Sequence, residues 1–111
     1  MPDSETRGLV PASGPGSRDA RAIGAITNAR CELEARCQNI GAGKKYATRS
    51  DCERLYHDAV YDKIGPAQCN SGVDFGAVHA CLQAIEEEGC LSPLDTIERL
   101  DACRAAKLCR D

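Results

Sequence analysis

Large apolar side chains are scarce in this chain. Its 111 residues include no Trp and a single Phe, and Leu, Ile, Val and Phe together number nineteen. That share lies below the roughly 20 % under which a chain tends towards disorder, and a small domain buries only a modest fraction of its surface. The composition therefore predicts that something other than core volume stabilises the fold.

Features of membrane-spanning and nucleic-acid-binding proteins are also missing. No apolar stretch approaches the roughly 20 residues of a transmembrane helix. The net charge of −3 and the pI near 5.4 leave no basic footprint for nucleic acid. Three tyrosines are too few for a platform that stacks bases. We therefore expect neither a transmembrane segment nor a nucleic-acid partner.

Catalytic motifs are absent as well. There is no Gly-x-Ser-x-Gly, and residues 41–45 lack the spacing of a phosphate-binding loop. His57 and His79, the only histidines, have no positioned nucleophile beside them in a recognisable motif. The acidic run 86–88 is expected to be a solvated face. The sequence thus predicts no catalytic residue, no cofactor and no metal site, and a protein that is not an enzyme.

Eight cysteines are the strongest positive feature, and their even number predicts a disulfide framework. The predicted bridging residues are Cys31, Cys37, Cys52, Cys69, Cys81, Cys90, Cys103 and Cys109. A disulfide typically contributes about 2–4 kcal/mol, so four of them rival the net stability of a small domain, about 5–15 kcal/mol. Because such frameworks persist outside the reducing cytosol, we predict export to the periplasm, the outer membrane or the extracellular space.

Metal binding and free thiols are the competing interpretations of the cysteines. Zinc ligands usually come in pairs two to four residues apart, whereas Cys31–Cys37 and Cys103–Cys109 have five residues between them. No Cys-x-x-Cys occurs, which argues against thioredoxin-like redox work and covalent haem attachment. A cytosolic metal-binding protein with reduced cysteines stays open as an alternative.

The N-terminal region differs from the rest of the chain. It lacks the basic start, apolar centre and small-residue cleavage site of a signal peptide, so export implies that the sequence shown is a mature or trimmed form. Residues 1–18 are rich in Pro, Gly, Ser and charge, which is typical of a disordered tail or linker. Residues 19–111 form the predicted disulfide-rich helical domain.

Apolar residues recur at helical spacing in four segments, and the first two are joined by a polar loop. The first helix is predicted from Arg18 to about Asn39. The second starts at a capping box, either Thr48–Asp51 or Ser50–Glu53, and ends at Gly65. Its predicted apolar stripe consists of Cys52, Leu55, Tyr56, Ala59, Val60 and Ile64.

The third and fourth helices have their own start signals. Asp74 is the predicted cap of the third helix, Phe75 belongs to its apolar face, and Gly89 is the predicted left-handed C-terminal cap. The fourth helix starts at Ser92, ahead of a proline in the first helical position, and continues to Cys103. No strand pattern occurs. The prediction is an all-α fold, a small disulfide-stapled four-helix up-and-down bundle with a disordered N-terminal tail.

Two cysteine pairs follow from this arrangement. Cys37 and Cys52 lie on either side of the turn between the first two helices, and theirs is the bridge that we favour most. Cys81 and Cys103 lie about equally far from the loop between the third and fourth helices, so they could face each other. Eight cysteines allow 105 pairings, and the other pairs stay open.

A longer motif surrounds the first three cysteines, and shorter segments near the C-terminus belong to the same pattern. Its residues are Ala29-Arg-Cys31-Glu-Leu-Glu-Ala-Arg-Cys37-Gln-Asn-Ile-Gly41, Gly43-Lys-Lys-Tyr-Ala-Thr48, Cys52, Asp95-Thr-Ile, Ala102-Cys103-Arg104 and Cys109. Over about residues 20–109 the chain resembles a family of small cysteine-rich myxobacterial lipoproteins, labelled as associated with natural-product biosynthesis gene clusters. The resemblance implies an exported, lipid-anchored protein of unknown activity, and it supplies no catalytic residues.

Two hypotheses for the function follow. The first is an exported, envelope-anchored, non-enzymatic binding or structural module, with a lipid anchor upstream of the sequence shown. Its partner, a protein or a small molecule, is unknown. The alternative is an accessory protein or carrier in natural-product biosynthesis, which depends on the family label alone.

Overall fold

The computed structural model describes residues 15–90 and 101–110. Three long helices, α1 (Pro15–Arg36), α2 (Arg49–Ile64) and α3 (Phe75–Glu87), precede a 3₁₀ turn (Asp101–Cys103) and the short helix α4 (Ala105–Leu108). The described part of the chain is mostly helical and contains no strand, which confirms the predicted fold class. Residues 1–14 of the predicted tail and the predicted helix start at Ser92 lie outside the described residues.

α1 begins earlier and ends earlier than predicted. It starts at Pro15, three residues before Arg18, and proline suits a first helical turn because its φ is already helical. Its end lies at Arg36 because Gln38 adopts a left-handed backbone with φ 62°. The amides of Gln38 and Asn39 then bond back to the carbonyls of residues 35 and 34, the paired closure that commonly ends a helix.

α2 starts and ends at side-chain and backbone signals that are visible in the sequence. The side-chain oxygen of Thr48 accepts a hydrogen bond from the amide of Asp51 at 3.1 Å, so Thr48 is the N-cap. The helix stops at Gly65, as predicted, where the glycine amide donates to the carbonyl of Tyr61. A Cβ at this position would lie 2.6 Å from that carbonyl oxygen, so glycine is required.

Thr48→Ala is expected to lower the free energy of unfolding by about 1 kcal/mol, because the first-turn amide of Asp51 loses its acceptor. Ser50→Ala removes the hydroxyl of the other cap candidate and should change stability by less than about 0.5 kcal/mol. Chemical denaturation of the two variants measures the difference. Equal losses would contradict the assignment of Thr48 as the cap.

α3 has the predicted start and a different end. The Oδ1 of Asp74 accepts the amide of Ala77 at 3.2 Å, which confirms the predicted cap. The helix ends at Glu87. The next residue, Glu88, has an extended backbone, and Gly89 is not left-handed. The predicted glycine cap is therefore wrong. The chain leaves the helix here because the Glu88 side chain and Cys90 are both held against the α1 side of the domain.

α1 lies between α2 and α3 and packs against both. The start of α2 lies beside the second half of α1, where the guanidinium of Arg49 forms a 3.0 Å ion pair between the two helices. α1 and α3 are parallel, since Arg21 lies over the ring of Phe75 near their starts and Arg30 pairs with Glu88 just past the end of α3.

The core lies along the two faces of α1. Its buried members other than cysteine are Ala22, Ile23, Ile26, Leu33, Tyr46, Tyr56, Val60, Ile64, Val73, Val78, Ile85 and Leu108. Leu55 is 59 % exposed and Phe75 is 39 % exposed, so their assignment to the buried stripes is wrong. α2 buries only every fourth residue from Cys52 onward, because α1 covers it along one narrow line, and Leu55 and Ala59 lie outside that line.

Four disulfides join the eight cysteines: two of them link helical elements, and the other two link segments that lie outside the helices. The pairs are Cys31–Cys52, Cys37–Cys90, Cys69–Cys109 and Cys81–Cys103. The predicted Cys81–Cys103 bridge is confirmed. It holds the 3₁₀ turn against α3.

The favoured Cys37–Cys52 bridge is wrong, and the loop between α1 and α2 explains why. The amide of Tyr46 donates to the carbonyl of Asn39, and the carbonyl of Tyr46 accepts the amide of Gly41. These bonds close the loop, so that the chain returns along α1 before α2 begins. Cys52 therefore meets Cys31, which is buried within α1. Cys37 lies beyond the end of α1 and pairs with Cys90.

Candidate functional site

A buried ion pair joins α1 to the end of α3. Arg30 is 1 % exposed, and its Nη1 lies 2.5 Å from Oε1 of Glu88, whose side chain is 4 % exposed. Glu86 and Glu87 are exposed, as expected of a solvated acidic run. For Glu88 that interpretation is wrong, because a cation buried in α1 requires a carboxylate partner.

A hydrogen-bonded network continues from this pair into α2. The Nε of Arg30 donates to the hydroxyl of Tyr56 at 3.3 Å, and that hydroxyl donates to Oε2 of Glu34 at 2.8 Å. The side-chain amide of Asn39 donates to the other oxygen of Glu34 at 2.7 Å. Polar side chains thus tie all three long helices together inside the domain.

Arg30 and Tyr56, two members of this network, stay protonated at neutral pH. Burial acts to lower the pKa of Arg30, but Tyr56 and Glu88 outweigh it, and the net pKa is raised. Burial is the main reason that the pKa of the Tyr56 hydroxyl is raised above its usual value. Neither group titrates near pH 7. The arrangement therefore suits a fixed structural role rather than proton transfer.

A second buried carboxyl lies in the first half of α1. Asp19 is 2 % exposed, and its Oδ1 has no hydrogen-bond partner among the described residues. Burial raises the pKa of Asp19, and a hydrogen bond from the backbone of Val73 opposes that shift. The charged form is thus disfavoured in the folded state.

Asp19→Asn is expected to stabilise the domain at pH 7 by about 1 kcal/mol, or about 4–8 °C in Tm. Asparagine keeps an acceptor for Val73 without burying a charge. The pKa of Asp19 is higher in the folded than in the unfolded state, so wild-type stability falls as pH rises above the unperturbed value of 3.8. The advantage of the variant should therefore shrink as pH falls towards that value. Thermal melts across this pH range measure it, and a gain independent of pH would contradict the assignment.

An open polar cleft of about 510 Å³ lies between α1 and α2, and we call it the α1–α2 cleft. Its lining residues are Gly24, Thr27, Asn28, Ser50, Glu53, Arg54, His57 and Asp58. Arg49 borders it and bonds to Asn28, Glu53 and Glu32 at 2.7–3.0 Å. The cleft thus combines hydroxyl, amide, carboxylate and cationic groups on a rigid pair of helices.

An apolar groove of about 470 Å³ runs along the other side of α1, and we call it the α1–α3 groove. It is lined by Arg21, Ala22, Ala25, Phe75, Val78, His79 and Leu82. The structure therefore separates the two histidines. His57 lies in the α1–α2 cleft, and its ring stacks on that of Tyr61 with centroids 6.3 Å apart. His79 lies in the α1–α3 groove.

Residues 15–90 and 101–110 contain no group of three or more His, Cys, Asp and Glu side chains that is placed to hold a metal ion. None of the helices described there is both long and apolar enough to cross a bilayer.

These features define a class of protein, a small helical domain in which four disulfides and buried polar contacts reinforce a sparse apolar core. Four disulfides in a domain of this size indicate an oxidising, exported environment. The chain belongs to a family of unknown function, DUF6184, whose profile matches residues 31–111 and so includes all eight cysteines. No curated protein and no solved structure matches the chain.

Proposed function

We propose that the protein is an exported, non-enzymatic binding or structural module. The observation that carries this proposal is the distribution of the four disulfides. Cys31–Cys52 joins α1 to α2, Cys81–Cys103 joins α3 to the 3₁₀ turn, and the other two bridges join segments that flank the helices. A scaffold ordered before binding loses little conformational entropy when a partner arrives. Such a domain is suited to presenting a fixed surface to a protein or a small molecule.

Attachment to the bacterial envelope is a further part of the proposal. The resemblance of residues 20–109 to myxobacterial lipoproteins supports a lipid anchor on a cysteine upstream of the sequence shown. The segment before α1 would then separate the anchor from the folded domain. Incorporation of an alkyne-tagged fatty acid in growing cells would support the anchor, and a lack of incorporation would remove it from the proposal.

The thiol state of the protein in its native cells tests export. Cells are treated with a membrane-permeant maleimide before lysis, and the purified protein is weighed by mass spectrometry before and after reduction and a second alkylation. We expect no maleimide before reduction and eight alkylated cysteines afterwards. Eight labelled cysteines before reduction would overturn the exported, disulfide-bonded module and favour a cytosolic thiol protein.

A carrier role in natural-product biosynthesis is the second candidate, and the α1–α3 groove is the observation that favours it. The groove combines apolar walls with Arg21 and His79, and ligand sites commonly pair an apolar lining with a few polar groups. Native mass spectrometry of protein purified from the producing organism tests this role. A bound small molecule that Leu82→Arg abolishes would support it, and unliganded protein throughout production would count against it.

A further inference from the structure

The two walls of the α1–α2 cleft are held rigidly with respect to each other. Cys31–Cys52 links the helices covalently near one end of the cleft. Arg49 of α2 bonds the side-chain oxygen of Asn28 of α1 at 2.7 Å. A concave surface fixed in this way keeps its shape without a ligand, which favours binding.

Gly24 contributes the depth of the cleft. It lies in the middle of α1, where glycine destabilises a helix relative to alanine. A Cβ at this position would meet no atom within 4 Å, so packing does not require the glycine, and its φ is not left-handed. The missing side chain therefore has no role in the fold of the described residues, but it leaves the cleft open.

Thr27 adds an unused hydrogen-bonding group beside this opening. It lines the cleft although it is only 5 % exposed, and its hydroxyl has no hydrogen-bond partner among the described residues. Buried hydroxyls are normally paired. Its oxygen is enclosed, so a ligand hydroxyl in the cleft would reach it only after the side chain rotates.

The charges around the cleft select the class of ligand. Glu53 and Asp58 would repel a simple anion, and Arg54 would repel a simple cation. A hydroxyl group both donates and accepts, so a molecule with several hydroxyls can pair with the hydroxyl, amide, carboxylate and guanidinium groups among the lining residues. The exposed ring of His57, stacked on Tyr61, adds a flat surface beside these groups.

We propose that the α1–α2 cleft binds a small, neutral, polyhydroxylated molecule of the saccharide class. This inference rests on the proposed function, since it names the ligand class of the binding module. Gly24 provides the space, and Thr27 and Asn28 provide the hydrogen bonds from α1. Ser50, Glu53 and Arg54 provide those from α2.

Nuclear magnetic resonance titration of the full chain with its disulfides intact tests the proposal. Glucose, N-acetylglucosamine and maltose are the saccharide probes, and acetate and ethylammonium are the charged controls. We expect at least one saccharide to shift the amide signals of Gly24, Thr27 and Ser50 saturably, while the charged controls do not. If none of the saccharides shifts them, or if acetate or ethylammonium saturates the same signals, the proposal is overturned.

Variants at two glycines with open surroundings separate binding from folding. Gly24→Leu fills the cleft without meeting other atoms at its Cβ, and we expect it to weaken saccharide binding by about tenfold or more with an unchanged or higher Tm. Gly89→Ala, whose Cβ also meets nothing within 4 Å, should leave binding unchanged. An unchanged dissociation constant for Gly24→Leu would overturn the proposal. The thiol measurement in cells is independent of these titrations, so failure of the cleft and failure of the exported module are distinguishable.

Discussion

Glu88→Ala is expected to lower the free energy of unfolding by about 3–5 kcal/mol. The substitution removes the carboxylate that lies 2.5 Å from the guanidinium of Arg30, inside a site that excludes water from both side chains. A buried cation whose compensating anion is removed is strongly destabilising, because the charge has also lost its hydration. Urea denaturation with all four disulfides intact measures the effect.

Glu87→Ala is the matched control, since it changes the same residue type one position earlier on an exposed side chain. Its effect should stay within about 0.5 kcal/mol. Replacing both Arg30 and Glu88 with methionine should be far less harmful than Glu88→Ala, because no charge is left buried. If Glu87→Ala and Glu88→Ala lower the free energy of unfolding by similar amounts, the buried ion pair does not stabilise the fold as expected.

Removal of the Cys37–Cys90 bridge, by alanine at both positions, is expected to lower the free energy of unfolding by about 4 kcal/mol. The bridge closes a loop with a sequence separation of 53, the longest of the four. Its loss therefore gives the largest increase in the conformational entropy of the unfolded chain. The chain-entropy relation gives about 3 kcal/mol for Cys31–Cys52, with a separation of 21. Chemical denaturation measures the stability loss.

The same bridge should be coupled to the buried ion pair, because Cys90 follows Glu88 by two residues and holds the end of α3 against the end of α1. Combining the bridge removal with Glu88→Ala is expected to give a loss that differs from the sum by about 0.5–3 kcal/mol. The control is removal of Cys69–Cys109, which lies away from Arg30 and should combine additively with Glu88→Ala. Additive behaviour of both bridges would contradict the coupling.

Signals that act over a few residues predicted the local structure well. The cap at Asp74 lies where the sequence placed it, and the cap at Thr48 is one of the two predicted candidates, because a cap needs only a side chain and an amide three residues ahead. α2 ends at Gly65 because the backbone of this residue is extended, and its surroundings leave no room for a Cβ. Gly89 shows the limit of such signals, since contacts made by Glu88 and Cys90 end α3 before the glycine is reached.

The sequence predicted the helices better than it predicted the candidate site. Gly24 and Thr27 are unremarkable in a helical segment, and Ser50 competed with Thr48 as a cap. Their common position in the α1–α2 cleft becomes visible only when α2 is placed against α1. A glycine in the middle of a predicted helix was the one signal that could have pointed to an open surface.

By itself, the sequence determined that the chain is helical, that it contains a disulfide framework, where α3 begins, and that α2 begins at one of two neighbouring caps. These properties follow from spacing, capping and composition, which act locally. Only the tertiary structure decided that Cys52 pairs with Cys31 and that Glu88 is buried against Arg30. Both depend on how α1, α2 and α3 lie against one another, and the contacts concerned join residues 21 and 58 positions apart. Many relative placements of three amphipathic helices satisfy the same local pattern, and packing selects among them.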